Sequence, residues 1–450
     1  MLEDRPIAHR ISDLPPVGTD QELEEMDELV AETVSKIGYG DAFFAWPEAA
    51  ARRFCELVRV NTGRDPEGTA RFLRWMRAET PMRYPALVGV AAFVRERLAK
   101  GEHGLSRQLV DGVLQRADDP GHLLAYWLST YGRIPKPVKR GVADAVVRLY
   151  DEEALWRYDS DARHIESPRF IGTSGGVRTR RPLRFRDVIA LTHPVAADEK
   201  QAEVFRRARG RTPGPNGRAG RDKLRTLDRQ GWDWLVSTMS VPGLLANLRL
   251  FDSVSIPFET AMTVAARIAQ PGEGIRPMRY AAAWKAVTTD RWRPALAAGA
   301  ARSLRQIPEI PGRTLVAISP DTAEGAAFGL SLAQRCASVE VQAVGGEPFD
   351  VQRGESPLHA LIRWQAADRR PARDARYESL GKGDHDRVVY ISRWVHEPGE
   401  ADVDVPMYLW QTGDPRRQVR DEAPAGNKTV FYGICDASFD AIPIMEGAYR

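Results

Sequence analysis

One pattern constrains this chain more than any other: about 280 residues of amphipathic helical periodicity, followed by an abrupt change to alternating strand and helix. Apolar residues recur at helical spacing from a start near Trp46-Pro47 through Ala50, Phe54 and Leu57. The same spacing runs from Pro66 through Phe72 and Trp75, from Pro85 through Val90, Phe93 and Leu98, from Leu105 to Leu114, and from Pro120 to Leu128. It resumes from Leu224 through Trp234, then over Leu244–Leu250, Phe258–Ile268, Met278–Val287 and Pro294–Leu304. Short turns make successive helices neighbours, and such pairs bury their stripes only by stacking, which predicts an α-solenoid of the HEAT kind without a fixed sequence period. At Pro308-Glu-Ile-Pro-Gly312 the style changes. Strands are predicted at Arg313–Ser319, Val339–Val344, Arg387–Ser392, Met407–Trp410 and Thr429–Gly433, with helices at Glu324–Cys336 and Leu358–Ala367. That alternation predicts a doubly wound parallel sheet. The fold class is therefore mainly α, with residues 1–310 a helical repeat and 311–450 an α/β domain.

A chain of 450 residues is long enough for two or three domains. It has no run of eighteen apolar residues and no signal-peptide pattern at Met1-Leu-Glu-Asp-Arg5, so neither a membrane span nor secretion is expected, and a cytoplasmic location is. Cys55, Cys336 and Cys435 are odd in number and outside any metal spacing, which fits a reducing compartment and small buried side chains. The formal net charge is only +3, but charge is segregated. Asp20-Gln-Glu-Leu-Glu-Glu-Met-Asp-Glu28 is acidic, whereas Trp156–Arg229 holds 18 lysines and arginines against 9 acids. A local cationic surface of this kind suits a polyanion, and arginine suits bidentate phosphate contact and stacking on bases. The alternative is that arginine is simply the common cation throughout this chain.

Two elements concentrate that charge. In Gly132-Arg-Ile-Pro-Lys-Pro-Val-Lys-Arg-Gly-Val-Ala-Asp-Ala-Val-Val-Arg-Leu-Tyr150, Pro137 suits the first helical position, and Val138, Val142, Ala145, Val146 and Leu149 form one stripe. Lys139 and Arg140 then fall in the first turn, opposite the stripe, beside unpaired backbone N–H groups and the positive end of the helix dipole. Amide donors plus two cations make a seat for phosphate; a solvated helix start that tolerates basic residues is the bland alternative. After the basic run Arg178-Thr-Arg-Arg-Pro182 comes Leu-Arg-Phe-Arg-Asp-Val-Ile-Ala-Leu-Thr-His-Pro194, a short helix stopping before Pro194. Phe185, Val188, Ile189 and Thr192 share its inner face; Arg186, Ala190 and His193 share another. The glycine- and arginine-rich stretches at 157–182 and 208–222 read as loops, and neither is a phosphate-binding glycine loop.

This Gly-Arg…Lys-Arg-Gly-Val-Ala-Asp helix, followed some forty residues later by Arg-Asp-Val-Ile-Ala-Leu-Thr-His193, resembles the TROVE module of the Ro autoantigen family of RNA-binding proteins. There the motifs read approximately Gly-Arg-x-x-(Arg/Lys)-Lys-x-(Ile/Val)-Ala-Asp and Lys-Asp-Leu-Leu-Arg-Leu-(Ser/Thr)-His. Phe72-Leu-Arg-Trp75, Met239-Ser-Val-Pro-Gly-Leu-Leu-Ala-Asn-Leu248 and Ile275-Arg-Pro-Met-Arg-Tyr-Ala-Ala-Ala283 match more weakly but in the same order, so that the resemblance spans about residues 25 to 310. It implies a HEAT-like helical repeat closed into a ring, followed by a von Willebrand factor A-like domain. It also implies binding of Y RNA or a Y-like small non-coding RNA on a basic outer face, and of single-stranded 3′ ends of misfolded RNA in a central cavity, for RNA stability or quality control. Position by position, Lys139 and Arg140 match the basic pair of the first motif, and Arg186 and His193 the basic residue and histidine of the second. Arg180 matches an RNA-contacting arginine. Gly176 stands where the family has a contacting lysine, a role open to Arg178 or Arg181; Arg133 and Arg184 complete the set. No cofactor is implied.

In von Willebrand A domains a divalent cation is held by an Asp-x-Ser-x-Ser loop, a threonine and an aspartate. The corresponding positions here are Ser319, Asp321 and Ala323, then Glu355 in a loop lacking the threonine, then Arg393 in place of the aspartate. A guanidinium there would repel the metal and could pair with Asp321 or Glu355, so no metal is expected; a rearranged site on Asp321 and Glu355 is the alternative. Two other functions stay open. One is a ribonuclease using His164 or His193, although no paired histidines, carboxylate cluster or nucleophile–base signature supports an enzyme. The other is an interaction scaffold, since the family pairs through RNA with an exoribonuclease such as polynucleotide phosphorylase.

Overall fold

A computed structural model describes residues 20–39, 48–102, 104–158, 183–210, 228–272, 274–344, 348–367, 384–393, 405–413 and 427–446. The helices are α1 (Asp20–Val34), α2 (Glu48–Arg64), α3 (Pro66–Glu79), α4 (Arg83–Ala99), α5 (Ser106–Val113), α6 (Asp119–Thr130), α7 (Lys136–Leu149), α8 (Glu152–Tyr158), α9 (Phe185–Thr192) and α10 (Glu199–Gly210). There follow α11 (Arg229–Thr238), α12 (Val241–Ser253), α13 (Phe258–Ile268), α14 (Pro277–Ala286) and α15 (Arg293–Ser303). The remainder alternates: β1 (Ile310–Ile318), α16 (Ala323–Ala333), β2 (Cys336–Ala343), α17 (Pro357–Ala366), β3 (Arg387–Ser392), β4 (Met407–Gln411), β5 (Lys428–Tyr432) and α18 (Ala441–Met445).

The chain divides into two compact units at 222/223. One holds described residues 20–33 and 48–210; the other holds 34–39 and 228–446. The change from helical repeat to sheet near residue 310 therefore lies inside a unit, because α14 and α15 pack against α16 and α17. In the first unit the apolar stripes read from the sequence are the buried ones. Phe54, Phe72, Leu73, Phe93 and Leu124 are fully excluded from solvent, and antiparallel neighbours interlock through them. Asp65 and Pro66 start α3, the Asp65 carboxylate accepting the Gly68 N–H at 2.8 Å.

In the second unit Trp232, Leu244, Leu248, Val264, Tyr280, Trp292 and Leu296 make one continuous core that also takes in Leu358 of α17. The sheet is parallel throughout, in the order β2-β1-β3-β4-β5, with Val316 opposite both Val341 and Val389, and Ile391 opposite Trp410. Its central strands are buried on both faces, as parallel strands must be. One face carries α16; on the other, Leu315, Ala317, Val388, Tyr390, Met407 and Leu409 form their own cluster. Strand order reverses at β1, which places the switch-point crevice between the Ser319 loop and Arg393. Arg276, at the start of α14, clamps the segment that follows β5: its guanidinium donates to both Asp440 oxygens at 2.6 and 2.9 Å and to the Asp436 carbonyl at 3.0 Å. The Ile275–Ala283 match thus has a structural reason.

Candidate nucleic-acid interface

α7 takes its shape from its sequence. Val138, Val142, Ala145 and Val146 are buried, and Leu149 is half-buried. Gly141 permits the close seat: a Cβ there would lie 2.6 Å from the Arg107 carbonyl oxygen and 2.6 Å from the Val110 Cβ of α5. The helix starts one residue earlier than the sequence suggested, so that Pro135 is the cap and Pro137 the second helical residue. Two prolines in the first positions remove two of the four terminal donors, leaving the Lys136 and Val138 N–H groups. Lys139 already donates its own N–H to the Pro135 carbonyl at 3.1 Å. The amide seat is half of what was expected, and the side chains dominate.

Those side chains are set apart by what they do not contact. Arg133, Lys136 and Arg140 are exposed and Lys139 is half-buried, and among the described residues none of the four makes an ion pair within 4 Å. The one acid in α7, Asp144, is the i+4 neighbour that would pair with Arg140. Its two oxygens are instead taken by Arg107 of α5, at 2.6 and 2.9 Å. Arg148, on the same helix, is bound to Asp111 and to the Asp111 and Leu114 carbonyls at 2.8–2.9 Å. The cations along this surface are thus sorted: the neighbours Arg107 and Arg148 are paired, and four cations within eight residues have no ion pair among the described residues. Lys136 was missed from sequence because placing the helix start at Pro137 left it outside. The Arg133 loop is fixed by Gly132 at φ 79°, by buried Ile134, and by the Trp127 indole N–H donating to the Arg133 carbonyl at 3.2 Å.

The second predicted element packs against α6 and α7. Phe185 stacks on Tyr150 at 3.7 Å, and the Leu183 N–H reaches the Gly121 carbonyl at 3.3 Å. Phe185, Val188, Ile189 and Thr192 are buried as the spacing required. Arg184 caps α9, its N–H donating to the Asp187 carboxylate at 3.1 Å. Arg186 faces solvent with a loose 3.5 Å contact to Asp187. His193 ends the helix exposed and left-handed, at φ 50° and ψ 56°. Arg178, Arg180, Arg181 and His164 lie outside the described residues.

A buried network anchors the floor under both elements. Asp119, at the start of α6, is fully excluded from solvent and accepts the Gln115 and Arg116 N–H groups at 2.9 and 2.8 Å and Arg77 at 3.0 Å, besides a close contact from Arg83. Asp118 receives Arg83 and Arg116 at 2.9 Å. Burial alone would raise both carboxyls. The hydrogen bonds and guanidinium charges outweigh it and hold both well below the usual carboxylate range.

Among the described residues, no group of three histidine, cysteine, aspartate or glutamate side chains that could hold a metal ion comes together at the switch-point crevice. Asp321 is exposed. The Thr322 hydroxyl caps α16 by accepting the Gly325 N–H at 3.0 Å and also takes the Thr412 hydroxyl at 2.9 Å. Glu355 is held by Arg363 at 2.6 and 3.0 Å, which leaves Asp321 as the other partner open to Arg393. With Glu355 committed to a guanidinium and Ser319 and Ala323 offering no carboxylate, the rearranged alternative loses one of its two ligands.

No protein-family model matches the chain, and no curated protein matches it. Among solved structures, the crystal structure of the Deinococcus radiodurans Ro (RSR) protein is similar at 16% identity with a TM-score of 0.57, over 87% of this chain and 94% of that one. No helix among the described residues is long and apolar enough to cross a membrane. The chain therefore has the fold of that Ro protein, a HEAT-like helical repeat running into a von Willebrand factor A-like α/β domain.

Proposed function

We propose that this chain is an RNA-binding protein of the Ro kind, without catalytic activity of its own, gripping a small structured Y-like RNA through the basic face of α7 and α9. The observation that carries this reading is the group of four cations, Arg133, Lys136, Lys139 and Arg140, without ion pairs among the described residues while their neighbours are neutralised. Folding without an internal counter-charge is tolerable only in water or against an external polyanion, and phosphates supply one at the spacing of a nucleic-acid backbone. Arg184, Arg186 and His193 extend the face, with Arg178, Arg180 and Arg181 as further contacts. These residues touch phosphates mainly, with arginine and histidine also able to stack on unpaired bases. The finer assignments belong to the same proposal: residues 1–310 as the RNA-binding repeat and 311–450 as the appended domain, binding of single-stranded 3′ ends, pairing through RNA with an exoribonuclease, and a cytoplasmic location. The test is to purify the protein from its host, sequence the RNA that accompanies it, and repeat with Arg180→Glu, Arg186→Glu. Recovery of a discrete small RNA with the native chain only is the expected result. The same RNA with both proteins, or none with either, overturns the proposal.

A further inference from the structure

A cleft of about 630 Å³ opens in the second unit between α14, α15 and the start of α17. That size lies within the range of small-molecule sites. Its floor is one face of α15, Pro294, Ala297, Ala298 and Ala301, recurring at helical spacing and offering only methyl and methylene groups. Trp284 and Arg293 also line the cleft and are stacked on each other. The Arg293 guanidinium lies over the Trp284 ring with Cζ 4.5 Å from the centroid, and the Asp290 carboxylate accepts Arg293 Nε at 2.7 Å to hold it there. The Ser356 hydroxyl, buried, donates to the Ala297 carbonyl at 2.8 Å and fixes the width between α15 and α17. Polar groups appear at the lip, where His359 and Asp290 are exposed.

We propose that this cleft takes a flat, purine-sized heteroaromatic base. An apolar alanine face in the same cleft as a stacked indole–guanidinium pair suits a thin planar ring, which can stack on that pair, better than a bulky aliphatic group. Edge heteroatoms of a base find donors and acceptors at His359 and Asp290. A hydrocarbon ring of a protein side chain would leave these lip groups unused. The base belongs either to a free nucleotide or to an unpaired residue of an RNA strand. Only the second source rests on the RNA-binding reading above.

The test uses the full chain and two probes, AMP and a fluorescent five-residue oligoadenylate, with Trp284→Ala and Ala298→Leu as variants. Ala298 is half-exposed, so leucine there fills the cleft without disturbing the core that Trp284 touches. Loss of one stacked base weakens binding by about tenfold or more. Both variants are expected to lose AMP, oligoadenylate or both by that factor, while binding of a structured stem-loop RNA is unchanged. Loss confined to AMP identifies a free nucleotide; loss confined to the oligomer identifies an RNA strand. The proposal is overturned if neither probe binds the native chain, if Ala298→Leu binds both as the native chain does, or if an aromatic peptide binds the cleft and both probes do not. Failure of the basic-face reading would show separately, as loss of stem-loop binding by the native chain with AMP binding intact.

Discussion

Replacing Lys139 and Arg140 together by alanine should weaken RNA binding by an amount that salt dependence fixes in advance. Neither side chain makes an ion pair among the described residues and Arg140 is exposed, so their removal takes little from the described fold beyond a few methylenes. If Arg133, Lys136, Lys139, Arg140 and Arg186 each neutralise a phosphate, log K falls with log salt at a slope near −4.5, about −0.9 per contact on a duplex. Each contact is then worth roughly eightfold at 0.1 M salt relative to 1 M, and two are worth about sixtyfold. The double variant should therefore bind a stem-loop about sixtyfold more weakly at 0.1 M, with a slope near −2.7, and should converge on the native affinity near 1 M. Filter binding or fluorescence anisotropy from 0.05 to 0.5 M salt reads both quantities. A uniform loss at every salt concentration would mean that the variant is damaged structurally. An unchanged slope would refute the assignment of these two cations to phosphate.

Asp119→Ala strands Arg77 in a nearly dry site and leaves Arg83 with Asp118 alone, and should cost about 3–5 kcal/mol in chemical denaturation. Because the Asp118 and Asp119 carboxyls titrate below their unfolded value of about 3.9, their stabilisation is complete above that value and is lost as pH falls beneath it; a native chain that keeps its stability from pH 6 to pH 3 would contradict this. Gly141→Ala drives a methyl into the Arg107 carbonyl and Val110, and should destabilise the chain by about 1–3 kcal/mol in thermal unfolding, where alanine in an open helix would stabilise. Arg276→Ala leaves Asp440 buried without its bidentate partner and should cost about 3–5 kcal/mol, yet leave stem-loop binding intact below the new melting temperature.

Much of the candidate site was legible because helical period and side-chain type are local properties. The stripes on α7 and α9 fix which residues face inward, and hence that Arg140, Arg186 and His193 face out. Lys136 was not legible, since a one-residue shift in the helix start turns on how Pro135 and Pro137 share the first turn. Nor could spacing alone reveal that Asp144 is withheld from Arg140, because its partner Arg107 is 37 residues away and belongs to another helix.

The order of elements, the change from helical repeat to parallel sheet, the buried faces and the unusual first motif all follow from apolar periodicity and turn residues, which act over a few positions and need no partner. Tertiary contact decided which charges cancel. It gave Asp144 to Arg107 and Glu355 to Arg363, joined the last repeat helices to the sheet, and closed a cleft over Trp284. Pairing of charges depends on distances set only when remote helices pack, and a linear pattern of residues does not contain those distances.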